Sequence, residues 1–174
     1  VGVVGIGAYA FSIAGGLPGS ARNSADAAVR SIAVLPLDNY SGDSTQDYFA
    51  EGMTDELTAS LATISQLRVT SRGSAMQFGG KNRPSTPEIA MRLNVDAIVE
   101  GSVMRSGNRV RDTAQLIDAR EDRHLWGQTF ERNTDDVLAL QAELSAAIAG
   151  AINVRLTEGE QSRFSAAKPL NPEG

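Results

Sequence analysis

The hydrophobic pattern becomes regular after residue 30 and predicts a strand followed by a helix. Ile32–Leu37 is short and almost wholly apolar, which is typical of a strand buried on both faces. After a turn at residues 39–43, apolar residues recur every three or four positions, as on one face of an amphipathic helix. This stripe consists of Phe49, Met53, Leu57, Leu61 and Ile64. Ser44 or Thr45 is expected to cap the helix, and Asp47 places negative charge in its first turn.

The next segments predict a second strand and a second helix. Leu67–Ser71 is the strand, and Gly73–Lys81 is interrupted by glycines and shows no clear periodicity. Proline is favoured at the first position of a helix, so Pro87 is expected to open the helix PEIAMRLN. Its cap is Ser85 or Thr86.

The pattern that follows predicts three strands joined by tight turns. Asp96–Gly107 and Arg109–Ala119 are expected to form a hairpin through Gly107-Asn108, a dipeptide typical of two-residue turns. Residues 118–123, DAREDR, then turn the chain into a strand at His124–Arg132. The three strands therefore form a meander.

A long helix over residues 135–157 is expected to complete the domain. Thr134 is its predicted cap, and the two acids that follow complement the helix dipole. The apolar stripe consists of Val137, Leu140, Leu144, Ile148, Ile152 and Leu156. Strands separated by helices are expected to be parallel, and hairpin strands antiparallel. The order β-α-β-α-β-β-β-α thus predicts a single α/β domain with a five-stranded mixed sheet covered by helices.

Two flanking segments differ from the predicted domain, residues 31–157. Residues 1–17 are uncharged and apolar or small, and we expect them to be what remains of a transmembrane helix. Residues 18–30 gain serine, asparagine and charge and are interpreted as a linker. The polar tail, residues 158–174, is expected to lead into a further module. Because the chain begins with valine, we interpret it as a fragment or a processed product.

The apolar start has a second interpretation. Gly5-Ile6-Gly7-Ala8-Tyr9-Ala10 matches the G-x-G-x-x-A fingerprint, which would make the chain an oxidoreductase with a nicotinamide cofactor. The fingerprint requires its glycines to open a helix that faces the pyrophosphate. Gly15, Gly16 and Pro18 would end such a helix within about two turns. The transmembrane interpretation is therefore favoured.

Composition excludes several classes of chemistry. The chain has 174 residues and 41% apolar content, enough to build the core of one domain. It has no cysteine, which excludes disulfides, thiolate zinc sites and cysteine nucleophiles. His124 is its single histidine, so a multi-histidine metal site is excluded as well. A net charge of −5 and 5% aromatic content argue against a nucleic-acid-binding domain.

Two small groups of polar residues have structural explanations. Asp47, Glu51 and Asp55 follow each other at intervals of four and share one helical face. We interpret this face as solvated, with a weak divalent-cation site as the alternative. His124 and Trp126 alternate on the last strand and are expected on the same face. The tryptophan is expected to pack beneath the C-terminal helix.

Arginines cluster around the two predicted hairpins of this acidic chain. They form a candidate patch for an acidic protein partner, an anionic head group or a nucleic acid. The alternative is protection of exposed strand edges by charge. The patch consists of Arg105, Arg109, Arg111, Arg120, Arg123 and Arg132.

Several stretches together resemble the amino-terminal domain of TolB and its relatives. They are SIAVLPLDNYSGDSTQDYFAEGMTDELTASLATISQLRVTSR, EIAMRLNVDAIVEGSVMRSGNRVR and TAQLIDAREDRHLWGQTFERNTDDVLALQAELSAAIA. The order of EGMTDEL in a helix and VEGSV, AQLID and HLWGQTFER in strands carries the resemblance. It is strongest to the variant found in bacterial membrane-bound signalling proteins.

The resemblance implies a layout and a function. A cytoplasmic effector, such as a nucleotide cyclase, a Ser/Thr kinase or a winged-helix domain, precedes one transmembrane helix in those proteins. The TolB-like domain and tetratricopeptide repeats follow on the periplasmic side of the inner membrane. The chain is then a non-catalytic protein-binding or sensory module, with no cofactor, metal or catalytic residue carried over. Its expected contacts are a protein partner or an adjacent repeat domain, and the membrane through residues 1–17.

Asp112 departs from the relatives, which usually have an apolar residue at this position. Alternation places it on the same strand face as Val110, Ala114 and Leu116. An unpaired carboxylate on a buried face costs several kcal/mol, on the order of a broken buried ion pair. A bulge, an arginine partner or a raised pKa could each relieve this cost. We expect Asp112 to lie near a strand edge and to be partly solvated.

Overall fold

Six strands form one mixed sheet in the computed structural model, which describes residues 28–152. The strands are β1 (Ser31–Val34), β2 (Asp38–Asn39), β3 (Arg68–Val69), β4 (Ala97–Ser106), β5 (Arg109–Asp118) and β6 (Arg123–Asn133). Their order is β3-β1-β4-β5-β6, and β2 also pairs with β4. β1 is parallel to β3 and β4, whereas β4, β5 and β6 are antiparallel neighbours. The predicted mixed sheet and its meander are therefore confirmed.

The sheet has one strand more than the five that were predicted. The apolar run expected to continue to Leu37 is split because Pro36 has no N–H to donate to a neighbouring strand. β2 includes Asn39, which was predicted to lie in the turn. Both short strands pair in parallel with β4, β1 at Ala97–Val99 and β2 at Ser102–Val103.

Gly101 lies in β4 between these two pairing sites. A Cβ atom at this position would lie 2.0 Å from the backbone oxygen of Thr113 on β5. Since no side chain tolerates such a distance, the close approach of β4 and β5 requires glycine here.

Four helices flank the sheet in the described part of the chain. They are α1 (Asp47–Ala62), α2 (Arg72–Ala75), α3 (Thr86–Leu93) and α4 (Val137–Ala151). α1 and α4 pack on each other and on one face of the sheet, which we call the covered face. The main core lies between them and includes Leu57, Leu61, Val99, Val103, Leu116, Leu140, Leu144 and Ile148. Within residues 28–152, no helix is both long and apolar enough to span a bilayer.

A second, smaller core lies on the opposite side of the sheet. Its members are Leu35, Phe78, Ile89, Ala90, Ile98 and Ala119. Phe78 belongs to the glycine-interrupted segment, which forms α2 and a 3₁₀ turn over Met76–Phe78. This segment therefore anchors itself on the sheet through one aromatic ring.

The starts of two helices differ from the predictions because a 3₁₀ turn precedes each. The turn Ser44–Gln46 precedes α1, and the Asp43 carboxylate, not Ser44 or Thr45, accepts the capping bond from the Thr45 N–H at 2.9 Å. The turn Thr134–Asp136 precedes α4. The Thr134 hydroxyl donates to the Asn108 side chain and does not cap α4.

Several predictions fall on residues outside the described part of the chain. They concern the transmembrane segment 1–17, the cofactor fingerprint Gly5–Ala10, residues 18–27 of the linker, the end of the last predicted helix and the tail 158–174. The predicted domain boundaries remain predictions.

Candidate functional site

One side of the sheet is open over β4, β5 and β6. The second core, which covers this side, reaches β4 only at Ile98. Further along the strands, the side chains on this side are exposed or half-exposed. We call this surface the open face. Its residues are Glu100, Ser102, Met104, Arg109, Arg111, Thr113, Gln115, Thr129 and Glu131.

Strand register arranges the open face in rows. Asp38 of β2 pairs with Ser102, Ser102 with Thr113, and Thr113 with Thr129. The hydroxyl oxygens of Thr113 and Thr129 lie 3.1 Å apart and share a hydrogen bond. The row is therefore a line of polar groups that ends in a carboxylate at β2.

A cleft with a volume of about 520 Å³ lies on the open face. Asp38 and Tyr40 form one wall, and Arg83 reaches in from the loop before α3. The Arg83 guanidinium binds the Glu100 carboxylate at 2.6 Å, and both side chains are largely buried. The lining of the cleft is mainly polar and charged, whereas most small-ligand sites have a predominantly apolar lining.

The acids of the cleft were not identified from the sequence. Glu100 and Ser102 follow Ile98 at intervals of two, so the polar half of the β4 alternation was a usable signal. Asp38 joins them only because β2 pairs with β4. Arg83 comes from an irregular loop, for which the sequence offers no pattern.

Two of the predicted arginines lie together on the open face. Arg109 and Arg111 bind the Glu131 carboxylate at 2.5 Å and 3.2 Å. The hydrogen bond from Arg111 and the two positive charges hold the pKa of Glu131 below its usual value. These guanidinium groups are therefore already paired with an acid of the same face.

The other four arginines of the candidate patch lie elsewhere. Arg105 and Arg132 are on the covered face, since both pair with Val110. Arg120 and Arg123 lie at the other end of the strands, bound to Asp96 at 2.7 Å and to Glu121 at 3.1 Å. The structure thus divides the six arginines among two faces and two ends of the sheet. Whether any of them binds a partner remains a prediction.

Asp96 has a structural role beside Arg120. Burial raises its pKa, but bonds from the Arg30 N–H, from Ser31 and from Arg120 outweigh burial and hold the pKa below its usual value. The Arg30 and Ser31 amides donate to this carboxylate at 3.0 Å and 3.1 Å. Asp96 therefore ties the beginning of β1 to the beginning of β4.

The acidic face of α1 is partly paired. Glu51 and Asp55 bind Arg72 of α2, and Asp47 accepts a hydrogen bond from Asn39 at 2.7 Å. These contacts attach α1 to its neighbours in the chain. In residues 28–152, no group of three or more potential ligands could hold a metal ion.

His124 and Trp126 do not share a face, contrary to the prediction. His124 pairs with Ile117 and Trp126 with Leu116, so Leu125 is an extra residue in a β-bulge. The bulge reverses the alternation and leaves His124 exposed. Trp126 packs against the main core, which includes residues of α4, with its ring centroid 6.2 Å from that of Phe130.

Asp112 is not solvated, and the expectation of an edge position is wrong. It lies in β5, the inner strand between β4 and β6, and is 0% exposed. Neither carboxylate oxygen has a hydrogen-bond partner within residues 28–152. Burial therefore raises the pKa of Asp112 to about 7. The bulge of the sheet lies at Leu116/Ile117 and not at Asp112, and no arginine binds the carboxylate. Of the three expected ways to relieve the cost, the raised pKa is the one that applies.

This domain is similar to known proteins in sequence and in fold. No protein-family model matches the chain. The chain is 41% identical over 143 residues to "Putative adenylate cyclase 3" of Rhizobium meliloti (strain 1021), covering 82% of this chain and 24% of that protein. It thus spans about a quarter of the length of this curated relative.

Two solved structures share the fold. TolB from Acinetobacter baumannii superimposes with a TM-score of 0.56 at 14% identity, over 75% of this chain and 30% of TolB. Lipoprotein GNA1162 from Neisseria meningitidis gives a TM-score of 0.52 at 22% identity, over 74% of this chain and 99% of that chain. The fold is therefore the TolB-like α/β fold that the sequence resemblance implied.

Proposed function

We propose that this chain is a non-catalytic protein-binding or sensory module of a membrane-anchored bacterial signalling protein. One observation carries the proposal: the chain matches a quarter of a putative adenylate cyclase at 41% identity while having a TolB-like fold. In this proposal the cyclase-type effector lies in another part of the longer protein.

The open face is the proposed contact surface. Its side chains form a polar array on the sheet, and a cleft with paired charges lies within it. Glu100 is paired with Arg83, and the two arginines beside Glu131 hold the pKa of that carboxyl below its usual value. Acids that are already bound to arginines suit recognition of a partner better than proton transfer.

The proposed layout follows the membrane-bound relatives of the TolB-like family. Residues 1–17 are the end of a transmembrane helix, the domain lies on the periplasmic side of the inner membrane, and tetratricopeptide repeats follow residue 174. The uncharged first segment supports this order. A protein partner or the neighbouring repeats are then the proposed occupants of the open face.

Activity measurements test whether the cyclase activity belongs to another part of the longer protein. The 174-residue chain is expected to form no cyclic nucleotide from ATP or GTP, while the longer protein does. In the longer protein, Arg109→Glu combined with Arg111→Glu is expected to change cyclase output at unchanged protein level. Arg123→Glu, at the far end of the sheet, is the matched control. Turnover by the isolated chain, or equal output from both variants, would contradict the proposal.

Reporter fusions test the location. Alkaline phosphatase fused after residue 174 of the longer protein is expected to be active, because it folds only when exported. A cytoplasmic fluorescent reporter at the same position is expected to be dark, and the opposite pair of results would place the domain in the cytoplasm.

A further inference from the structure

Asp112 has two arginines as diagonal neighbours on the covered face. It pairs with Val103 on β4 and Phe130 on β6, and Arg105 and Arg132 lie two residues further along those strands. Diagonal neighbours in an antiparallel sheet are about 7–8 Å apart, within reach of long side chains. The carboxylate and the guanidinium groups could therefore meet without a change in strand register.

Both arginines have other contacts in this structure. The Arg105 guanidinium carbon lies 5.5 Å from the centroid of the Phe49 ring, in the first turn of α1. Arg132 binds the Glu143 carboxylate of α4 at 2.5 Å and the Glu131 carbonyl at 2.7 Å. A contact with a neutral ring is weaker than a charge-assisted pair, so Arg105 is the arginine that can be drawn away.

The other elements around Asp112 present few charges to it. The acids of α1 bind Asn39 or Arg72, or are exposed, as Glu56 is. α4 contributes Glu143, which is paired with Arg132. Its buried polar residues Gln141 and Ser145 carry no charge. Arg105 is therefore the available counter-ion for an ionised Asp112.

We propose that Asp112 and Arg105 form a proton-operated switch between the sheet and α1. With Asp112 protonated, Arg105 stays on the Phe49 ring, and the start of α1 is held against the sheet. When Asp112 releases its proton to water, the guanidinium moves to the carboxylate and leaves Phe49. The first turn of α1, and the turn that joins it to β2, then loosen.

Asp112 is expected to gain or lose its proton close to neutral pH. Burial raises the pKa of Asp112 to about 7, so the native state exchanges this proton close to neutrality. The unfolded chain loses the same proton near its ordinary value of 3.8. Between these values the folded state binds more protons than the unfolded state, and the unfolding equilibrium constant rises by roughly tenfold per pH unit.

Carbon-detected NMR of the complete 174-residue chain in detergent micelles tests the proposal. The Asp112 carboxyl carbon is expected to titrate somewhat below the pKa of about 7 that burial alone gives, because Arg105 stabilises the ionised form, and the Phe49 ring protons are expected to shift with the same midpoint. In Asp112→Asn the Phe49 shifts are expected to be independent of pH. A midpoint below 5, or a Phe49 ring that ignores the titration, would overturn the switch.

Two arginine variants separate the switch from burial alone. Arg105→Gln removes the counter-ion and is expected to raise the Asp112 midpoint to the value of about 7 that burial alone gives. Arg109→Gln removes an arginine of the open face and is expected to leave the midpoint unchanged. Equal midpoints in both variants would show that Arg105 is not the partner. Since the titration of the unaltered chain needs no variant, the central claim stays testable if Arg105→Gln fails to fold.

Discussion

The two faces of β5 place charged side chains in very different environments. On the open face, Arg109 and Arg111 are half in water and bind Glu131 across the sheet. On the covered face, Asp112, the residue that follows Arg111, has no hydrogen-bond partner within residues 28–152. A charge on the first face costs little, whereas a charge on the second must be neutralised or paired. The environment of each face, rather than residue type, decides the chemistry.

The largest expected difference between the faces is in pH dependence. Asp112→Asn keeps the shape of the side chain and removes its titration. Because the folded pKa is raised from 3.8 to about 7, the unaltered chain should lose about 4 kcal/mol relative to the variant between pH 4 and pH 8. Urea unfolding at several pH values measures this loss. Parallel stability curves would contradict it.

The next largest expected effect is on stability, and it compares a buried and an exposed leucine of α4. Leu144 is fully buried in the main core, and Leu138 on the same helix is 69% exposed. Leu144→Ala is expected to cost about 3 kcal/mol of unfolding free energy through lost contacts and a cavity. Leu138→Ala should change stability by less than about 0.5 kcal/mol. Thermal and urea unfolding of both variants compare the two, and similar losses would refute the assigned core.

Two glycines of the sheet give a smaller contrast. Gly101→Ala forces a methyl group against the β5 backbone and is expected to cost about 2 kcal/mol. At Gly127 a Cβ atom would lie 3.7 Å from its nearest neighbour, an ordinary contact. Gly127→Ala should therefore change the urea midpoint little. A tolerant Gly101 would mean that β4 and β5 are further apart than described.

The smallest effect is expected from the ion pairs of the open face. Glu131 has a lowered pKa, so its stabilising contribution is present at neutral pH and is lost as the pH falls through its folded value. This dependence is opposite in sign to that of Asp112. Glu131→Gln should lower the melting temperature slightly at pH 7 and at low ionic strength, and not at acid pH or in high salt. An effect that is independent of salt would contradict an exposed pair.

The sequence predicted the elements whose pattern is local. The long strands of the meander and the apolar stripe of α1 follow from periodicity, and they recur in the structure at nearly the expected bounds. β2 did not follow, because two residues carry no periodicity and their pairing partner lies more than sixty positions away. The bulge at Leu125 likewise depends on how β6 meets β5.

The candidate site was only partly predictable for the same reason. Alternation placed Asp112 on a buried face correctly, and the predicted meander already placed its strand between two others. The exclusion of water depends on how α1 and α4 pack over this face, which no local pattern shows. The six arginines are close in sequence, and the folded sheet separates them because neighbouring residues point to opposite faces. Arg83 enters the cleft from a loop whose path no local rule determines.

α4, the last helix within residues 28–152, supplies a large share of the main core through Leu140, Leu144 and Ile148. β1, near the beginning of the domain, packs into that same core. Until α4 has left the ribosome, the covered face of the sheet therefore lacks one of its two helices. The domain is therefore expected to reach its full stability only after α4 has been synthesised.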